Sequence, residues 1–128
     1  MDLLRRCHEA FNERDIEGFL ELLHPEVEWV PIMARLEGAV YRGREQLRSW
    51  ISELDRDWAE FRTEPREFRD RGDVVVAFGT WHARGRASGL ILDSQPAAWV
   101  AHIRDGKVAR QETFTDRDQA LEAAGLKE

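Results

Sequence analysis

Gly43 opens a segment in which Leu47 is followed by Trp50, Ile51, Leu54 and Trp58, at offsets of 3, 4, 7 and 11 residues. Those offsets place five bulky apolar side chains along one side of a helix. Four strand-like segments follow: Phe61 to Phe68, Val74 to Arg84, residues 92–104, and Lys107 to Thr115. Asp70-Arg71-Gly72-Asp73 turns the first into the second, and Asp105-Gly106 is a strong hairpin turn before the last. A helix with so wide an apolar stripe and an antiparallel run with an apolar face must bury both against each other. A curved sheet wrapped around the helix does so.

The residues ahead of the stripe fit that plan. Leu3, Leu4, Cys7, Ala10 and Phe11 recur at helical spacing, which predicts a first helix over 2–13. Asp15 is an N-cap for a short second helix with Phe19, Leu20, Leu22 and Leu23 inward, ending before His24-Pro25. Val27 to Pro31 alternates as a strand with Val27 and Trp29 on one face, and residues 32–42 read as a loop. At the other end, Asp116-Arg117-Asp118-Gln119 caps a last short helix that Gly125 stops. The expected fold is α+β: a cone-shaped, curved antiparallel sheet around a long helix, with short helices at both ends. Residues 1–128 read as one domain, because two halves would each have a marginal core.

Composition narrows the function. The formal charge of −6 argues against nucleic acid as a partner, since phosphate binding needs a basic surface. No apolar run exceeds five residues, as in Val74 to Phe78, so no membrane span is expected. One cysteine, Cys7, excludes an internal disulfide, and no apolar leader-like stretch follows Met1. The expectation is a cytoplasmic protein. No two histidines stand at ligand spacing and no HExxH occurs, so neither a metal nor another cofactor is expected.

Three phrases in order resemble the SnoaL-like branch of the nuclear transport factor 2-like superfamily, which includes the ketosteroid isomerases. They are Asn12-Glu13-Arg14-Asp15-Ile16-Glu17-Gly18-Phe19, Tyr41-Arg42-Gly43-Arg44-Glu45 and Arg104-Asp105-Gly106-Lys107-Val108. The closing stretch from Asp116 to Leu126 is similar to the end common in that branch. The resemblance covers nearly the whole chain and implies the cone and a cavity inside it. It does not carry over the known chemistry, because one fold hosts many reactions. Ketosteroid isomerases use an Asp base with an oxyanion hole of a Tyr and a protonated Asp. The base position falls on the first strand, whose inward residues read Val27, Trp29 and Pro31, with Glu28 on the other face. The Tyr position holds Cys7 and the second Asp position holds Trp99, where SnoaL-type cyclases also need an Asp. An epoxide hydrolase needs an Arg and two Asp, and Arg84 has no such pair.

Trp29, Tyr41, Trp50, Phe61 and Trp99 are the expected cavity wall, with Gln111 and Thr113 facing it from the last strand. Aromatic side chains at such positions either fill a core or line a pocket for a small apolar or aromatic molecule. His82 is the candidate acid or base, because histidine titrates near neutrality. It faces the cavity if Val76, Phe78 and Thr80 do, and the outer surface if Val75, Ala77 and Trp81 face inward. Inward Trp99 carries Ala101 and Ile103 with it and turns His102 out; His8 and His24 read as surface or cap residues. Val75 or Val76, Trp81, Val100, Val108 and Phe114 exceed what one sheet face holds. The surplus predicts an apolar outer face covered by a second copy, in a homodimer. The leading expectation is binding of a small hydrophobic molecule, extending to isomerase, cyclase or dehydratase-type chemistry. The alternative is a non-catalytic dimeric interaction module with its cavity filled by tryptophan.

Overall fold

The computed structural model describes residues 2–32 and 38–126. Helices α1 (Asp2–Asn12) and α2 (Ile16–Glu21) precede β1 (Leu23–Val30) and β2 (Tyr41–Arg42). Helix α3 (Gly43–Asp57) is followed by β3 (Trp58–Arg71), β4 (Val74–Gly85), β5 (Ile91–Arg104), β6 (Lys107–Phe114) and helix α4 (Arg117–Ala124). The six strands form one sheet in the order β2-β1-β6-β5-β4-β3. Every neighbouring pair is antiparallel except β1 and β6. This is the expected α+β cone, with α1, α2 and α3 against its inner face.

The expected boundaries shift where tertiary pairing outweighs local pattern. β1 starts at Leu23 rather than Val27, and its ladder with β6 breaks between Leu23 and Glu28, across Pro25. Proline has no N–H to give a ladder, so the strand passes through it with an irregularity. Trp58 continues the helical stripe in sequence but adopts extended backbone and opens β3 opposite Gly85. The Arg86 N–H to the Asp57 carbonyl, 3.2 Å, and the Arg86 guanidinium to the Asp55 carbonyl, 2.7 Å, hold that corner. Pro65 is tolerated in β3 because β3 is an edge strand, and the register shifts between Pro65 and Glu67. Of the expected loop over 32–42, Tyr41 and Arg42 instead pair with Trp29 and Glu28 as β2, and residues 33–37 lie outside the described residues.

The facing of β4 is settled. Val75, Ala77, Trp81 and Ala83 join the core inside the cone, while Val76 and Phe78 belong to a second core on the outer face. The outer face is apolar, as expected, but the chain covers it with its own helix. Ala120, Leu121 and Ala124 of α4 bury Val76, Phe78, Ala98, Val100 and Phe114. Asp116 caps α4 by accepting from the Asp118 N–H at 2.8 Å, and Gly125 ends it at φ 73°, a left-handed turn that glycine adopts without strain. The Arg117 guanidinium lies 3.9 Å from the Phe78 ring centroid and pairs with Glu67 at 3.0 Å, fastening the helix start to the sheet. The expectation that these apolar residues lie exposed on the sheet is corrected: α4 of the same chain covers them. Among the described residues the exposed large hydrophobic side chains are Leu90 and Ile91, beside the β4–β5 turn. No helix among them is long and apolar enough to cross a membrane.

Candidate functional site

The interior of the cone is not packed solid. An open-mouthed pocket lies between the inner sheet face and the helices; its atom-free space is about 480 Å3 with the gaps between wall atoms and the open solvent at its mouth included. Its wall is mostly aromatic. Phe11 and Phe19 come from the first two helices, Trp50 from α3, and Trp29, Phe61, Trp81 and Trp99 from the sheet. The rings brace one another. Phe11 stacks on Trp50 with centroids 5.6 Å apart, Phe61 stacks on Trp81 at 5.4 Å, and Phe19 meets Trp29 edge-on at 5.4 Å. Such contacts add about 0.5–1.5 kcal/mol each beyond area burial, so the wall is stiff.

Trp29, Trp50, Phe61, Trp99, Gln111 and Thr113 line this space. Two other expected site residues do not. Tyr41 sits behind the wall, half-buried, its ring 6.1 Å from that of Trp50. His82 lies on the opposite face of the sheet, because alternation from inward Trp81 turns it out. There it is a buried polar hub: Nδ1 is 2.5 Å from Asp93 Oδ1 and Nε2 is 3.0 Å from Glu64. The expectation that His82 reaches the cavity is thereby corrected.

The histidine that does line the cavity is His8, expected on the surface and found 6% exposed. Leu4, His8 and Phe11 lie at i, i+4 and i+7, one face of α1, so the helical period carried the signal. Its Nδ1 is 2.6 Å from Thr63 Oγ1 and its ring meets Trp99 edge-on at 4.7 Å. Thr63 follows Phe61 by two residues on β3 and so shares its inward face. Asn12 fixes Thr63 in turn, accepting the Thr63 N–H at 2.9 Å and donating to the Thr63 carbonyl at 2.7 Å. Burial pushes the His8 imidazolium down to about 3, so the ring is neutral at physiological pH. Burial also pushes the Cys7 thiol up to about 12, against a small opposing effect of Arg6, which leaves Cys7 a small apolar wall residue rather than a nucleophile.

Among the described residues, two buried side-chain polar atoms have no hydrogen-bond partner: His8 Nε2 and Gln111 Oε1. Both residues line the cavity. A buried polar group left unpaired costs about 1–3 kcal/mol, so native proteins rarely keep two beside one void without use for them. No Asp or Glu is among the described lining residues, and Glu28 is held on the far side of β1 by Arg110 at 2.9 Å and Arg42 at 3.2 Å. The carboxylate pattern of the isomerases is therefore missing from the described wall as well as from the sequence positions compared above. Among the described residues no three His, Cys, Asp or Glu side chains are grouped to hold a metal ion.

Residues 4–111 match the model of the SnoaL-like domain. The chain belongs to the SnoaL-like family. No curated protein matches it closely enough in sequence to count as a relative. Among solved structures, a nuclear transport factor 2-like protein of unknown function from Burkholderia pseudomallei is 25% identical, with a TM-score of 0.79 over 97% of this chain and 95% of that one. TerC, co-crystallised with polyporic acid, is 29% identical, with a TM-score of 0.77 over 96% of this chain and 95% of its own. A protein of ketosteroid isomerase-like fold from Catenulispora acidiphila, in complex with trimethylamine, is 16% identical at a TM-score of 0.78, covering 98% of this chain and 93% of its own; that likeness is one of fold.

Proposed function

We propose that this SnoaL-like chain binds one small, mostly apolar molecule inside its cone. The aromatic wall supplies the contact area, and the polar end at His8, Thr63, Gln111 and Thr113 sets the orientation. The observation that carries this reading is the pair of buried polar atoms, His8 Nε2 and Gln111 Oε1, that have no partner among the described residues and lie in a mainly apolar cavity. A few placed polar groups in an apolar concavity are the usual make-up of a small-molecule site. The small molecules named with TerC and with the Catenulispora protein support it. If the bound molecule is also converted, in an isomerase, cyclase or dehydratase type of reaction, the proton-transfer group is the neutral His8 imidazole rather than His82 or a carboxylate.

β-Naphthol is a suitable first probe, followed by tryptophan emission, because the wall carries Trp29, Trp50, Trp81 and Trp99. One saturable site is expected. Thr113→Phe puts a ring into the free space and should weaken binding about tenfold or more while the protein still melts cooperatively. Absence of saturable binding by β-naphthol, or equal binding by the Thr113→Phe protein, would overturn the reading.

A further inference from the structure

Which ligand fits is written in the hydrogen-bonding sense of the two orphaned atoms. Gln111 Oε1 is an acceptor. The sense of His8 Nε2 follows from its neighbours. Asn12 is oriented by the Thr63 backbone, its Oδ1 toward the N–H and its Nδ2 toward the carbonyl. Oδ1 therefore also faces the Thr63 hydroxyl, at 3.4 Å, and offers an acceptor for its proton. A hydroxyl has one proton to give; with it on Asn12, Thr63 Oγ1 is left to accept from His8 Nδ1–H across the 2.6 Å contact, and this is the arrangement on which the proposal below rests. A neutral imidazole carries one N–H, which leaves Nε2 with a bare lone pair. Both orphaned atoms are thus acceptors, set among aromatic walls with no carboxylate among the described lining residues.

Resting on the ligand-site reading above, we propose that the cavity selects neutral hydroxylated aromatics, one ring O–H donating to His8 Nε2 and a second donor reaching Gln111 Oε1. Anionic ligands are rejected, because an acceptor facing an acceptor gains nothing and the charge loses its water. Ethers of the same shape fill the wall but leave both acceptors unpaired. A site built to bond a hydroxyl discriminates strongly against the analogue that lacks it.

The test is calorimetric titration of the intact protein with three ligands of one shape: β-naphthol, its methyl ether, and β-naphthoate. The expected order is naphthol about tenfold or more tighter than the ether, with naphthoate weakest. In the His8→Phe protein the preference for naphthol over the ether should shrink to about threefold or less. Nitrogen NMR of the unsubstituted protein gives a check that needs no variant: His8 is the Nδ1–H form, and its Nε2 resonance moves when naphthol is added. Equal affinity for naphthol and ether, tightest binding of naphthoate, or an Nε2–H form of His8 would overturn the donor rule and leave the cavity reading standing. Binding of none of the three would instead sink the cavity reading, and the donor rule with it.

Discussion

Trp50→Ala should cost about 3–5 kcal/mol of stability, the range for truncating a buried large aromatic. Trp50 is 7% exposed and projects from α3 into the middle of the cone. Its ring stacks on Phe11 of α1 at 5.6 Å and tilts against Trp29 of β1 and Tyr41 of β2, each at 6.1 Å. One side chain therefore joins three elements to the central helix. Removing it loses the burial and those ring contacts together, and it joins new empty space to a cavity already present. Urea unfolding of the two proteins measures the difference, since the unfolding slope stays comparable when only stability changes. A cost below about 1 kcal/mol would mean that the wall is loosely packed and that the braced cavity described here is wrong.

Acid should destabilise the protein through His8 before the carboxylates matter. The ordinary histidine value, 6.5, applies in the unfolded chain, while burial lowers it to about 3 in the native state. Between those values the unfolded state binds the proton and the native state does not. Stability is then full above about pH 6.5 and is lost as pH falls toward 3, at up to about 1.4 kcal/mol per pH unit. Glu17, Glu28, Glu64 and Glu67 are held below their ordinary value of 4.5, chiefly by hydrogen bonds from Arg48, Arg110, Arg66 and Arg117. Their loss also destabilises on acidification, but below pH 4.5. The difference between the protein and its His8→Phe variant from pH 6.5 to 5 therefore isolates His8, whose share of the unfolding free energy should fall by about 1.5 kcal/mol. The His8→Phe protein should show little of that fall. Parallel pH dependence in the two proteins would contradict the buried, neutral His8.

The cone was legible because each of its parts is written in a short-range pattern. The stripe from Leu47 to Leu54, the Asp15 and Asp116 caps, and the Asp105-Gly106 turn all specify local structure that tertiary packing accepts. Trp58 misled because an apolar residue at the right offset extends a helix on paper, while pairing with Gly85 draws it into a strand. The wall was legible in Trp29, Trp50, Phe61 and Trp99, whose faces follow from period alone. His82 was not, since β4 is apolar on both sides and only the position of α4 over Val76 and Phe78 explains why. His8 was missed by residue type: a polar residue near a chain start reads as surface, although Leu4 and Phe11 put it on the buried face. The orphaned Nε2 and Oε1 had no sequence signal, because an unpartnered atom is defined by the neighbours that several distant segments fail to supply.

The most direct measurement is a crystal structure of the protein grown with β-naphthol. The ring should lie against Trp50 and Trp99 inside the cone, its oxygen within hydrogen-bond distance of His8 Nε2. Naphthol seated anywhere else, with His8 Nε2 and Gln111 Oε1 still unpartnered, would contradict the account.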